Sequence, residues 1–522
     1  LDLDGFKPIN DTHGHEAGDH VLVELAERLT ANARASDTVA RLGGDEFVLL
    51  LLNLDDRDHC HQVLQRLQAT IALPLNCLPV PTAVTASIGV TLFPHDDGDA
   101  DTLLRHADQA MYTAKQSAQG GYVLFDPAAD RQVRTRQDGT RDVAQALQSG
   151  QLELHYQPKV DLQGGQVVGV EALTRWNHPQ RGQLAPDTFL PLIENTDLVV
   201  ELGQWVIEQA LQQVAQWERQ GLALSCSVNV ASRQLEHPDF LRQLRAALSR
   251  HPHTAARLEL EVLESTALQD FGQVTPIIEA CQAMGVNVAL DDFGTGYSSL
   301  TYLKRLPVRS LKVDRSFVRD MVADEDSLAI VQGVIGLARS FQRRVVAEGV
   351  EGVDHGRMLL LLGCDHAQGS FIAPALPAGQ LPAWVAGWQA PALWQRLAPC
   401  AVHADMAALL QAEVRHVRWV LQLVRAVRDG QPVPSGHLVD PHGTAFGRWY
   451  DESAVKPWAT FAAYAALAEP QRQMHQLVRA IDDLWRQGRH DAARALVKDV
   501  EQQRDRVLAA LRELQLAMVE AG

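Results

Sequence analysis

The stretch Val286 to Leu290 is almost wholly apolar and ends in two adjacent acids, Asp291 and Asp292, followed by Phe293-Gly294-Thr295-Gly296. Such a run predicts a buried strand, so the acids arrive at the end of a strand inside the protein. Two carboxylates about 4 Å apart at an effective dielectric near 20 repel by roughly 4 kcal/mol. A cation has to offset that repulsion, and a divalent metal ion is the usual solution.

The same arrangement recurs on both sides. Val167-Val168-Gly169-Val170 leads to Glu171, Cys226-Ser227-Val228 to Asn229, Leu258-Glu259-Leu260 to Glu261, Leu311 to Lys312 and Asp314, and Val345-Val346-Ala347 to Glu348 and Glu351. Helical segments such as 202–219 and 274–284 separate these strands. Strands alternating with helices, with polar residues only at strand ends, predict a parallel (βα)8 barrel with its site on the top face. Period-2 alternation puts Glu171, Leu173 and Arg175 on one side of their strand, and Lys312 with Asp314 on one side of theirs. Glu171, Asn229, Glu261, Asp291, Asp292 and Glu348 offer only oxygen donors, which suits magnesium or manganese rather than zinc. Several acids at one site suggest two ions about 3.5–4 Å apart.

The chain has 522 residues, enough for about three domains. Its net charge of −17, from 47 basic and 64 acidic residues, speaks against polymeric nucleic acid as a partner but leaves room for a small anion held through metals. Six dispersed cysteines without CxxC spacing predict a reducing compartment, hence the cytoplasm. The longest aliphatic run, 358–362, cannot span a bilayer, so any sensor or membrane tether is expected upstream of Leu1.

Glu171-Ala172-Leu173, with Tyr156-Gln157-Pro158, Asn229, Glu261, Glu264, Asp291-Asp292-Phe293-Gly294, Lys312, Asp314, Glu348, Glu351 and Gln368-Gly369, resembles the EAL family of cyclic-di-GMP phosphodiesterases over residues 142–386. The resemblance implies a hydrolase of a bacterial second messenger that opens cyclic di-GMP to linear pGpG. It assigns Glu171, Asn229, Glu261 and Asp291 to one metal, and Asp291 with Asp292 to a second, with Asp314 as a further member. Lys312 would position the attacking water, Glu348 would serve as general base, Gln157 and Arg175 would hold phosphate, and Gln368 a guanine. Glu264 and Glu351 would support the ligands, Glu264 by steadying the loop after Asp292. Ser298 and Ser299 read as helix caps, since no histidine partner is evident. Members of this family often couple that loop to dimerisation, so a homodimer is expected.

Residues 1–127 resemble the GGDEF family of diguanylate cyclases through Asp2-Leu3-Asp4-Gly5-Phe6-Lys7-Pro8-Ile9-Asn10-Asp11, Gly18-Asp19 and Arg41-Leu42-Gly43-Gly44-Asp45-Glu46-Phe47. This implies metal ligation by Asp2, the Leu3 carbonyl and Asp45, guanine contacts from Asn10 and Asp19, Glu46 near the reacting hydroxyl and Lys115 on phosphate. Arg34 and Asp37 stand where the family carries an RxxD inhibitory site. Only Leu1 precedes Asp2, and Gln119 stands where the family has arginine. A regulatory module that binds GTP weakly is therefore expected.

Residues 128–141 read as a helical or flexible connector and 387–402 as a second one. From His403, Met406, Leu409, Leu410, Val414, Val417 and Val420-Leu421 recur at helical spacing, predicting a helical bundle over 403–522. His416, Thr444 to Tyr450 and Met474-His475 resemble the chemoreceptor zinc-binding (CZB) family. Its cysteine position is Thr444 here and one histidine position is Gln471, leaving His416 and His475 with His442 as a substitute. So few ligands make zinc unexpected. The expected protein is a multidomain α/β chain: an N-terminally truncated GGDEF α+β domain, an EAL TIM-like barrel and an all-α bundle. A bifunctional cyclase and hydrolase, or a non-catalytic cyclic-di-GMP receptor, are the alternatives.

Overall fold

The computed structural model describes residues 1–54, 57–78, 80, 82–96, 98–116, 121–296, 300–398, 405–438 and 440–521. The chain divides into two compact units, Leu1–Gly139 and Thr140–Gly522. Segment 128–141, expected as a connector, belongs to one helix, Pro127–Gln148.

The first unit is a five-stranded sheet in the order Thr38–Gly43, Glu46–Leu50, Asp2–Asp4, Thr85–Val90, Tyr122–Leu124. All neighbours pair antiparallel except the last two strands, which run parallel. Helix His15–Asn32 turns Val21, Leu25 and Leu29, spaced four apart and fully buried, towards Phe47 and Leu64.

In the second unit eight strands close a barrel: Leu152–Asp161, Val167–His178, Ser225–Asn229, Leu258–Leu263, Asn287–Phe293, Ser310–Val313, Arg344–Ala347 and His366–Gln368. Strands two to eight run parallel in chain order. The first strand departs from the expected all-parallel repeat, pairing antiparallel with both the second and the eighth. The chain forces this, because only residues 162–166 join the first two strands, with Gly165 at φ +68°. A parallel connection needs a crossover of a dozen or more residues. Leu290, Leu311, Val313 and Ala347 are buried as the apolar runs require.

The C-terminal helices Met406–Arg428, Ala445–Ser453, Ala468–Arg486 and Val497–Ala521 belong to the same compact unit as the barrel. Met406, Leu409, Leu410, Val414 and Val420 are buried as their spacing predicts, whereas Leu421 is 45% exposed. Part of the expected second connector is a packed helix, Ala392–Leu397. Its Trp394 lies over Gly356 of the barrel helix Val353–Leu362, where any Cβ would collide with the indole, and donates to the Val353 carbonyl at 2.8 Å. Beneath it, Arg357, 1% exposed, makes a forked pair with Glu413 of the bundle at 2.6 and 3.1 Å. Gln515 bonds both partners. No helix among the described residues is long and apolar enough to cross a membrane.

Removing one partner of a buried ion pair strands the other charge. Arg357→Ala should lower unfolding stability by about 3–5 kcal/mol, and Arg357→Met with Glu413→Leu should recover most of the loss. Guanidinium titrations of the three chains measure this. A single variant as stable as the parent would contradict the anchoring role.

Candidate active site

The barrel mouth is organised by an irregularity in the fifth strand. Leu290 pairs with Leu311 and Phe293 with Val313, so Asp291 and Asp292 together oppose the single residue Lys312. Regular alternation would send one of two adjacent acids outward. The bulge, with Asp292 in the left-handed region at φ +53°, turns both inward. Carboxylate oxygens of Asp291, Asp292 and Glu348 consequently lie within 4.8 Å of one another, as a metal ion would require of its ligands.

Lys312, 1% exposed, sits among the acids. Its Nζ lies 2.6 Å from Glu261, 2.9 Å from Asp291, 2.5 Å from Glu348 and 3.7 Å from Glu171. Asn229, the last residue of the third strand, donates to Glu171 Oε1 at 2.7 Å. Gln368 donates to Glu171 Oε2 at 2.7 Å and to Gln157 at 2.9 Å. Its own Oε1 is buried with no hydrogen-bond partner among the described residues. Gln157 also donates to the Ala373 carbonyl. Gly369 lies so close to the Val350 backbone that no Cβ fits, which pins the loop after Glu348 to the eighth strand. The structure thus brings together Glu171, Asn229, Glu261, Asp291, Asp292, Lys312, Glu348, Gln368 and Gln157.

The outlying residues fall at graded distances from this cluster. Asp314 caps helix Arg315–Asp320 by accepting from Ser316 N–H, and also hydrogen-bonds Asp292. Arg175 is partly buried, donates to the Thr174 carbonyl, and feels Asp187 as its nearby charge. Glu264 accepts from the Gly294 N–H at 2.9 Å and so holds the loop after Asp292. Glu351, expected as a support for the ligands, is exposed and close enough to Arg319 to act on its charge. Ser298 and Ser299 lie outside the described residues.

Lys159 was not among the expected residues, yet it is 4% exposed and central. Its Nζ bonds Glu261 at 2.7 Å and Ser227 at 2.5 Å, so two lysines grip one glutamate. The signal was available: Lys159 stands two residues after Gln157 on the same strand face, amid apolar neighbours.

Burial raises Glu348 to about 8 against the pull of Lys312, with Asp291 and Glu171 adding to the rise. Asp292 rises to about 6 through burial, Asp291 and Asp314. Glu171 and Asp291 also rise, chiefly by burial. Burial alone would raise Glu261 too, but Lys159 and Lys312 hold it down to about 2. Six buried or half-buried carboxylates, Glu171, Glu259, Glu261, Asp291, Asp292 and Glu348, thus share two ammonium groups. That surplus of negative charge, made of oxygen donors only, fits hard divalent cations.

In the first unit, Asp2 is buried and its carboxylate meets Lys115 Nζ at 2.7 Å, so the lysine expected on phosphate is engaged by an acid. Leu3 is buried in the sheet, pairing with Ala86. Asp45 and Glu46 follow Gly44, whose φ of +53° makes the turn of the glycine hairpin. Asn10 covers Gly18, where a Cβ would meet its Oδ1 at 1.8 Å, while Asp19 is exposed. Asp37 accepts from the Arg34 and Leu52 N–H groups, and the Arg34 guanidinium lies 3.4 Å from His59. Gln119 lies outside the described residues.

In the bundle, His416 and His475 are buried, and burial lowers them to about 3 and about 4, leaving both rings neutral. His442 is exposed and paired at 2.9 Å with Asp451 of the following helix Ala445–Ser453. Among the described residues these three histidines do not converge as a metal-ligand group. Thr444, at the cysteine position, caps helix Ala445–Ser453: its Oγ1 accepts from Gly447 N–H and donates to the Pro441 carbonyl. With that hydroxyl engaged and an amide at Gln471, the residues do not fit zinc.

Family models match residues 1–120 as a diguanylate cyclase GGDEF domain, 140–375 as an EAL domain and 416–481 as a chemoreceptor zinc-binding domain. The chain is 44% identical over 387 residues to the "Bifunctional diguanylate cyclase/cyclic di-GMP phosphodiesterase MucR" of Pseudomonas aeruginosa, covering 74% of this chain and 56% of the relative. It is 34% identical over 384 residues to the "Cyclic di-GMP phosphodiesterase PdeR" of Escherichia coli, covering 74% and 58%. A solved structure described as "PaMucR Phosphodiesterase, c-di-GMP complex" is 45% identical and covers 47% of this chain and 99% of that chain, with a TM-score of 0.46. The chain spans about half the length of the curated relatives it matches.

Lys159→Met should destabilise the unit by about 3–5 kcal/mol by leaving Glu261 under-compensated, and Glu261→Gln in the same chain should return part of it. Denaturant midpoints test this, and an unchanged midpoint in the single variant would refute it. Manganese should raise the melting temperature of the parent, and Asp292→Asn should remove most of that rise. An equal rise in both chains would show that the ion binds elsewhere.

Proposed function

Because this chain belongs to the GGDEF–EAL family, we propose that its barrel is a cyclic-di-GMP phosphodiesterase that hydrolyses the cyclic dinucleotide to linear pGpG. The observation that carries this reading is the convergence of Asp291, Asp292 and Glu348 beside Glu171, Asn229, Glu261 and Lys312. Glu171, Asn229, Glu261 and Asp291 would hold one magnesium or manganese ion, and Asp291 with Asp292 and Asp314 another. These ions would supply charge neutralisation at phosphorus and acidify the attacking water.

The chain's own residues account for the rest. Lys312 is fixed by Glu261 and offers a positioned ammonium to the water and the phosphate. Glu348 has an oxygen at this ammonium and a raised affinity for protons, which suits a base that accepts the water proton. The water oxygen bonds to phosphorus, the P–O3′ ester breaks, and the 3′ oxygen leaves with a proton. Gln368 presents a free buried acceptor, matched to an N–H of guanine, while its amide steadies Glu171. Arg175, with a half-buried guanidinium, and Gln157 would hold phosphate. For the first unit we propose a regulatory role with weak GTP binding, because Lys115 is engaged by Asp2.

The whole chain incubated with cyclic di-GMP and magnesium or manganese should yield pGpG, resolved by chromatography. Glu171→Ala should lower kcat/KM on the order of 10³-fold, the loss of about 4 kcal/mol of metal-borne stabilisation. GTP should yield no cyclic di-GMP. A folded, metal-loaded parent that leaves cyclic di-GMP intact would reduce the barrel to a receptor.

A further inference from the structure

Four polar side chains meet in the barrel interior one layer beneath the mouth. Ser227, Glu259 and Ser310 each stand two residues before a mouth residue, Asn229, Glu261 and Lys312. Their strands run parallel, so period-2 alternation turns them to the same inner face one step lower. Lys159 joins them from the first strand. That strand runs the other way, and its register sets Gln157 opposite Glu171 and Lys159 opposite Gly169, one step below. Laid parallel, the same strand would carry Lys159 above Gln157 and out towards solvent.

Barrel interiors are ordinarily filled by bulky branched apolar residues, and apolar residues of similar volume often match or better a buried ion pair in stability. A charged layer here therefore calls for a reason beyond packing. Its groups are tightly bonded. Glu259 accepts from Ser227 at 2.8 Å on one oxygen and from Ser310 at 2.6 Å on the other. Lys159 Nζ donates to Ser227 Oγ at 2.5 Å and stands 3.5 Å from Glu259. Among the described residues, the layer's one side-chain link to the mouth is the bond from Lys159 to Glu261 Oε1 at 2.7 Å. The other oxygen of that carboxylate, Oε2, takes Lys312 at 2.6 Å. Glu261 is thus held at both oxygens by ammonium groups from two different strands, and it cannot rotate without losing one of them.

We propose that Lys159 is a positioning residue for the hydrolysis: anchored on Ser227 and Glu259, it fixes the rotation of the Glu261 carboxylate and, through the far oxygen, the place of the Lys312 ammonium. The effect on turnover rests on the phosphodiesterase reading of the barrel; the brace itself can be read without any turnover.

Lys159→Met removes the strut but also leaves Glu259 and Glu261 short of a cation. Lys159→Met with Glu259→Gln restores the charge count, and the new amide can still pair with Ser227 and Ser310, yet Glu261 Oε1 stays unheld. The double variant should regain most of the denaturant midpoint that the single one loses. Its kcat on cyclic di-GMP should nevertheless stay about 10²-fold down, the scale on which misplacement by an ångström tells, with KM little changed. Ser227→Ala keeps every charge and removes one anchor of Lys159, so it should lower kcat in the same sense by a smaller factor. Nitrogen NMR of the lysine-labelled chain in EDTA, where seven lysines give few signals, should show the Lys312 resonance displaced and exchanging faster with water in the double variant. The proposal is overturned if kcat returns together with the midpoint, or if the Lys312 resonance stays in place. Should the double variant fail to fold, parental kcat and an unmoved resonance in Ser227→Ala overturn it. A folded parent that leaves cyclic di-GMP intact sinks the phosphodiesterase reading instead, and the Lys312 resonance then decides the brace by itself.

Discussion

The buried ammonium of Lys312 is the interaction on which the second unit depends. It lies among Glu261, Asp291 and Glu348, with Glu171 slightly farther, and it is nearly sealed from solvent. Taking so many charges out of water costs several kcal/mol per ion unless geometry and hydrogen bonds compensate. Lys159 compensates from below by gripping Glu261, and Asn229 and Gln368 compensate at Glu171. Even so, Asp292 and Glu348 keep raised proton affinities. The same deficit of positive charge that would destabilise a structural core suits this mouth to hold cations.

The bulge in the fifth strand converts a sequence pattern into that site. Two neighbouring acids on a regular strand point to opposite faces, so one would be lost to the helix layer. Setting Asp291 and Asp292 against Lys312 alone, with Asp292 left-handed, brings both to the mouth. A left-handed non-glycine residue costs of order 1 kcal/mol. Glu264 holds the next turn by taking the Gly294 N–H, which keeps the irregular backbone in place.

The strand-end acids were legible because each follows an apolar run, a local signal that depends on no distant contact. Glu171, Asn229, Glu261, Asp291, Asp292, Lys312 and Glu348 were all named from that pattern together with a family resemblance. Lys159 was missed because it lies mid-strand, and its partners Glu261 and Ser227 are far away in sequence. The reversed first strand was equally readable from the short turn at Gly164-Gly165, yet the repeat of strands and helices overrode it. Glu351, named as a support on the resemblance, is exposed, which no local signal in the sequence foretold. The Arg357–Glu413 pair was not legible at all, since nothing local marks which arginine will be buried by a helix 56 residues away.

That last pair changes how the bundle is to be understood. Read as a sequence, residues 403–522 are an appendix behind a linker; in the structure they share buried charge with barrel helix Val353–Leu362, which starts just after the Glu348 loop and on which Trp394 of the preceding segment also packs. A second barrel helix, Glu325–Ser340, gives Glu325 to a cavity in the bundle, while its Ile330 lies 3.5 Å from where a Cβ on Gly294 would stand. Both helices also contact the bundle helix Met406–Arg428. The bundle and the barrel thus form one packed unit.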